Sequence, residues 1–278
     1  MLSSELETFK LKQKLAGLNS YLFRGTSILR VYRDAINNQG VIKIPEGVNY
    51  IASDAFNEVG GLENFKRLEI PDTVRSIADN ALFGCRYLEE VKFSENIEDL
   101  GSQCFEGCTS LKDVILPDSI TRLGVGCFSN CWNLRYVKLP SNARCIGDRL
   151  FYSCSKLEQV DFESISRLGE YCFSSCANLK NLLLDNDNIH LKNFCLLNCQ
   201  KLNSVVLLCD EIDMNNSSLM YSDITVMIAP YGYEFDNCSI KRLIYYNVED
   251  LEILRGIFNS GKSYSDCLKE GMKYLYNR

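Results

Sequence analysis

The chain has 278 residues, a formal net charge of −6, 46% hydrophobic and 24% charged residues, a balance too apolar for disorder and ordinary for a globular protein. No apolar run reaches the roughly 18 residues that a membrane-spanning helix needs, which excludes a spanning protein. Fourteen cysteines stand against a single histidine, His190, so a histidine-rich metal site is excluded and any catalytic triad or dyad has one candidate base.

Residues 1–14 carry Glu5 and Glu7 and lack the apolar core of a Sec signal peptide. The expected compartment is cytoplasmic and reducing, with export by a non-Sec route as the alternative. A secreted small domain would use this many cysteines as a disulfide framework, but a chain of this length builds its core without staples. Leu11, Leu15, Leu18 and Leu22 recur at helical spacing and predict an N-terminal helical cap within residues 1–40. That segment holds six basic against three acidic side chains, a net of +3, which leaves −9 of the total −6 for the remainder. Its basic character also suits a docking or delivery element. The acidic body argues against direct nucleic-acid binding, which relies on clustered Lys and Arg. It favours a basic protein partner and equally serves solubility.

From residue 41 a period takes over. Cys85, Cys108, Cys131, Cys154, Cys176 and Cys199 follow one another at intervals of 23, 23, 23, 22 and 23. Leucine stands three residues after each, Val or Leu six after, and Phe or Leu eight after, so several registers repeat in phase. Upstream, Ile42 to Pro45 and Leu68 to Pro71 are the same strand 26 residues apart; downstream, Val226 to Ile228 follows Val205 by 21, and Leu243 to Tyr245 forms a last, shortened strand. About nine units between residues 41 and 247 predict one continuous solenoid.

Within a unit, Val114 and Leu116 alternate with Asp113 and Ile115, the period of a short strand. Proline ends it at Pro45, Pro71, Pro117 and Pro140, where no ladder donor is needed. A second apolar pair follows, such as Ile120 and Leu123, then a glycine (Gly101, Gly124, Gly147, Gly169) that suits positive φ or close packing. Cys104, Phe105, Cys108 and Leu111 then sit at helical offsets, which predicts a short helical turn with one face inward. Phe56, Phe105, Phe128, Phe151 and Phe173 are expected to form an aromatic spine. Residues 248–278 predict a C-terminal helical cap, with Val248, Leu251, Leu254, Ile257 and Phe258 on one apolar face and Tyr264, Cys267, Leu268, Met272 and Leu275 on the next.

The unit V-x-L-P-x-x-I-x-x-L-G-x-x-C-F-x-x-C-x-x-L, cleanest at 114–134, resembles the BspA-type leucine-rich repeat, whose usual form reads I-P-x-S-V-x-x-I-G-x-x-A-F-x-x-C-x-x-L. The resemblance spans about 200 of the 278 residues. It implies an α/β leucine-rich-repeat solenoid, right-handed and curved, with a parallel sheet on the concave face and short helical turns on the convex one. It also implies protein recognition, often in adhesion or host interaction. Two departures stand out: residues 1–14 do not read as the export signal usual in the family, and its alanine, kept at Ala55 and Ala81, becomes Cys104, Cys127 and Cys172.

The recurrent C-x-x-x-C pairs lack the C-x-x-C spacing of zinc ribbons and fall on the inward face, so they read as buried thiols packing as small hydrophobes. Cys145, Cys209, Cys238 and Cys267 lie off this ladder. His190, where other repeats bend, reads as a polar surface residue. No cofactor or metal is expected, and no enzyme.

Outward-facing positions of stacked strands form columns on the concave sheet. The candidate partner-binding residues in them are Lys92, Ile115, Tyr136, Lys138, Gln159, Asp161, Leu183, Val206 and Met227. The run Leu183, Val206 and Met227 is either an exposed apolar contact patch or a seat for the C-terminal segment. The reading favoured is a non-enzymatic module that binds a protein through its concave face. An acidic inhibitor occluding a basic, nucleic-acid-handling enzyme is the runner-up, and a cysteine-dependent enzyme stands third.

Overall fold

A computed structural model describes residues 20–277 apart from Asn215. Each coil contributes two strands to two faces. The front strands run from Val41–Lys43 through Arg67–Glu69, Glu90–Lys92, Asp113–Ile115, Tyr136–Lys138, Gln159–Asp161, Asn181–Asp185, Leu202–Leu208 and Asp223–Pro230 to Ser239–Tyr246. All neighbouring front strands that pair do so in parallel. The second sheet takes the short strands after the proline turn, such as Asp99–Leu100 and Arg122–Leu123. The coil Asp113 to Leu134 shows how residue choice sets this path. Val114 and Leu116 are buried and Ile115 is exposed; a turn closed by Ile120 N–H to the Pro117 carbonyl at 3.2 Å redirects the chain into Arg122–Leu123.

The segment returning to the next front strand is a pair of turns, not the helical turn that the periodicity predicts. Gln103 and Gly107 adopt φ of 54° and 74°, which breaks a right-handed helix. Their N–H groups, with that of Phe105, donate to Val125, Ser129 and Cys127 of the following coil at 2.8–2.9 Å. The backbone donors are satisfied between coils rather than four residues back, so apolar offsets that look helical arise from stacking.

Of the recurring glycines, Gly101, Gly124 and Gly169 are required by proximity. A Cβ on Gly124 would lie 2.2 Å from Ser102 N, and one on Gly101 2.3 Å from Asp79 N, whereas one on Gly147 would meet nothing nearer than 3.9 Å. None of these glycines has positive φ.

Two cysteine columns fill the core. In the first, Cys131, Cys154, Cys176 and Cys199 donate their thiols to the carbonyls of Phe105, Phe128, Phe151 and Phe173 at 3.1–3.2 Å, and Cys108 donates to that of Leu82 at 3.4 Å. Ser222 continues the column and bonds the Leu196 carbonyl. Cysteine here is a small hydrophobe with one donor, placed within reach of a carbonyl of the preceding coil that can accept it. The aromatic spine is continuous over four members: Phe105, Phe128, Phe151 and Phe173 stack with centroids 5.3, 6.1 and 5.6 Å apart. Phe56 stands apart, stacked on Phe65 at 5.8 Å, because Leu82 occupies the intervening position.

The ends differ from each other. Residues 20–31, expected within a helical cap, form an antiparallel hairpin of Tyr21–Arg24 and Ser27–Val31, whose second strand pairs in parallel with Tyr50–Ile51. Leu22 lies in that hairpin and is exposed; Leu11, Leu15 and Leu18 fall outside the described residues. The last front strand is full length, and it is the coil before it that is shortened, since Pro230 and Ser239 are joined without a second-sheet strand. Helices α1, Leu251–Phe258, and α2, Tyr264–Tyr276, then close the C-terminal end. Among the described residues no helix is long and apolar enough to cross a membrane.

Candidate functional site

The front columns divide into an open half and a covered half. In the open half, strand register sets Lys138 between Ile115 and Asp161, and Tyr136 between Asp113 and Gln159. Ile115 is 64% exposed, and Lys92, Lys138 and Gln159 are exposed beside it. Tyr136 donates its hydroxyl to Asp161 at 2.7 Å, and the Gln159 amide donates to the same carboxylate at 2.6 Å. Burial, reinforced by the Asp161 carboxylate, pushes the Tyr136 phenol up to about 12. These three side chains form one ordered polar cluster next to an exposed isoleucine and two lysines.

In the covered half the expected sites change character. Leu183 is half-buried and Val206 fully buried, packed with Val226, Ile228 and Ile244 against Leu251, Leu254 and Phe258 of α1. The C-terminal segment thus seats on the apolar run. Met227 pairs with Val205, not with Val206, and points into the main core. The turn after Ser222 reaches Ile224 in two residues where Cys199 reaches Leu202 in three, so the strands are offset by 22 positions rather than 21. A one-residue slip exchanges inward and outward faces. Val206 and Met227 are therefore unavailable to a partner in this arrangement.

Polar contacts fix the helical cover. Arg255 bridges Asp185 at 2.9 Å, Asp187 at 2.7 Å and Glu252 at 3.1 Å, and these acidic partners hold its guanidinium above its ordinary pKa despite partial burial. Tyr264 meets Ser204 at 2.9 Å, and Tyr246 donates to the Leu207 carbonyl at 2.9 Å while accepting from Cys209 N–H at 2.8 Å.

The front sheet is split at two places, between Glu90–Lys92 and Asp113–Ile115 and between Gln159–Asp161 and Asn181–Asp185. The coils before the splits are those with phenylalanine, Phe93 and Phe162, at the second inward position; Ile44, Ile70, Leu116 and Leu139 occupy it elsewhere. Ile44, Ile70, Leu116 and Leu139 donate N–H to the next coil at 2.9–3.0 Å. Among the described residues Phe93 and Phe162 have no such bond. These two coils border clefts of about 400 and 580 Å³, lined in part by Phe93 and Phe162.

His190 lies exposed in the second-sheet strand Asn188–Leu191, with Nδ1 3.1 Å from Asp213. All fourteen cysteines are free thiols; Cys145 is exposed, Cys238 is intermediate and the other twelve are buried. Burial pushes the Cys154 and Cys199 thiols up to about 12, opposite to what a nucleophile needs. Among the described residues no three His, Cys, Asp or Glu side chains gather in a way that could hold a metal ion.

Stacked coils with two parallel strand faces and a marker every 22 or 23 residues define a solenoid repeat protein. The chain belongs to the BspA type leucine-rich repeat family, whose pattern matches in six copies over residues 32–158 and 105–226. Among solved structures it is similar to the leucine-rich repeat protein TpLRR of T. pallidum (24% identity, 58% of this chain and 89% of that one, TM-score 0.45). It is also similar to a leucine-rich cell surface protein of Faecalibacterium prausnitzii (16% identity, 84% and 95%, TM-score 0.43) and to a leucine-rich repeat protein of Bacteroides ovatus (19%, 80% and 88%, TM-score 0.34). No curated protein matches the chain.

Proposed function

We propose that the protein is a non-enzymatic recognition module that binds a protein partner through the open half of its front face. The residues assigned to contact are Lys92, Ile115, Tyr136, Lys138, Gln159 and Asp161, with Leu183 at the margin. The observation that carries this reading is Ile115: a large aliphatic side chain 64% exposed on the front face, where Leu183, Val206, Val226, Ile228 and Ile244 are packed with the C-terminal helices. An exposed apolar residue ringed by charged and hydrogen-bonded polar groups has the make-up of an interface centre with its polar rim. The repeat architecture supports the reading, because stacked coils present long columns of independently variable side chains.

Affinity capture with quantitative mass spectrometry tests it. Proteins captured by the wild-type chain should be lost with Ile115→Glu/Lys138→Glu and kept with Glu211→Lys/Asp213→Lys on the second sheet. Capture that survives the first double substitution and fails with the second would refute it.

A further inference from the structure

We propose that the cleft between Gln159–Asp161 and Asn181–Asp185 receives an extended segment of the protein partner that carries a lysine or arginine beside an apolar residue. The inference rests on the front-face reading and narrows it to one cleft and one charge.

The first observation is an open backbone edge. The two strands touch at one end, where Lys180 N–H donates to the Glu158 carbonyl at 3.1 Å, and no ladder joins them beyond it. In the preceding coil Leu139 N–H reaches the Asp161 carbonyl at 2.9 Å, while Phe162 N–H has no equivalent bond to the next coil among the described residues. A diverging edge of this kind offers donors and acceptors to an incoming main chain.

The second observation is the floor. Val160 and Phe162 are half-buried, although their counterparts Val137 and Leu139 are 0% and 2% exposed. Splitting the sheet uncovers core side chains that an apolar neighbour on the incoming segment would cover again. The cleft volume of about 580 Å³ is in the range of ligand-binding sites, and Asn259 and Tyr264 from the C-terminal cap help to wall it.

Charge is the third. Four carboxylates and one lysine line the cleft. Lys180 is tied to Glu158, and Asp185 is met by Arg255 and by Asn259 at 3.1 Å. Asp161 receives only neutral donors, from Tyr136 and Gln159. Glu163 is exposed and has no ion pair among the described residues. These two carboxylates, neither of them in an ion pair among the described residues although Lys138 is the register neighbour of Asp161, favour a cation at the mouth. The other cleft lacks this bias, since Arg67, Lys92 and Lys138 line it together with its acidic residues.

The test pans a phage-displayed random heptapeptide library against the full chain and measures the enriched peptides, synthesised with blocked ends, by fluorescence polarisation. Lys or Arg next to an apolar residue should dominate. Asp161→Lys/Glu163→Lys should weaken binding at least about tenfold, whereas Glu211→Lys/Asp213→Lys, with the same change in net charge on the second sheet, should not. Amide exchange at Phe162 should slow in the complex. No enrichment, enrichment without basic residues, or equal weakening by both charge variants would overturn the proposal. If protein capture depends on Ile115 and Lys138 while the cleft variant has no effect, the cleft assignment falls and the front-face reading stands. If neither variant affects capture, both fall.

Discussion

Truncating Phe128 to alanine probes the solenoid at its centre. The ring is fully buried and stacked on both sides, 5.3 Å from Phe105 and 6.1 Å from Phe151. Phe→Ala at such a site costs about 3–5 kcal/mol from lost burial and the cavity left behind, of which each aromatic pair accounts for about 0.5–1.5 kcal/mol. Against a total stability of about 5–15 kcal/mol this is a large fraction. It falls on one coil, and coils contact chiefly their neighbours, so the two flanking halves should uncouple. Urea denaturation followed by circular dichroism should show a lower midpoint and a broader or split transition. Phe83→Ala, on a ring 48% exposed, should stay within about 0.5 kcal/mol of wild type. A loss below about 1 kcal/mol for Phe128→Ala, with an unchanged transition, would refute the stacked-coil account of the core.

Gly124→Ala should be strongly destabilising, because its Cβ would sit 2.2 Å from the Ser102 backbone, while Gly147→Ala, with nothing nearer than 3.9 Å, should be tolerated; thermal melts that do not separate the two would contradict the close-approach argument. Raised thiol pKa values make stability depend on alkali. Cys154 and Cys199 are held up to about 12 when folded and titrate near about 8.5 when unfolded. The folded state then keeps protons that the unfolded state loses, so this stabilisation is whole below about pH 8.5 and declines towards pH 12. Urea midpoints in reductant should fall between pH 8.5 and 10.5, and a flat profile there would be inconsistent with buried thiols. Arg255→Met removes the bridge to Asp185 and Asp187 and should cost about 1–2 kcal/mol, chiefly through the better-buried Asp185; limited proteolysis between α1 and α2 should accelerate, and an unchanged cleavage rate would deny the bridge a role in holding the cover.

The residues that made the repeat legible are those whose chemistry is the same in every coil. The cysteine column repeats because each thiol does one job, filling a small inward volume and bonding a carbonyl of the preceding coil. Where another residue takes over that job the marker disappears from view. Ser222 replaces cysteine in the same place and the following turn loses a residue, so the period places Met227 outward whereas it lies in the core. Tyr21 and Phe23 pack inward while Leu22 and Arg24 are exposed. That alternation is the mark of a strand, but the leucine spacing through Leu22 masks it as a helix. The clefts had a signal in Phe93 and Phe162, two larger residues among leucines and isoleucines. Nothing local in the pattern says that the strand ladder ends beyond them. The helical cover over Val206 is a long-range contact between an apolar strand and an amphipathic helix, and the amphipathic pattern alone left its seat open.

The central claim is that the open front face meets a protein partner. Photo-crosslinking tests it most directly, with a benzophenone side chain installed in place of Ile115 in one protein and in place of Asp213, on the opposite sheet, in another. Both should be irradiated in extract from the source cells. The account predicts a discrete protein adduct from position 115 that Lys138→Glu diminishes, with none from position 213. Adducts from position 213 and none from position 115 would contradict it.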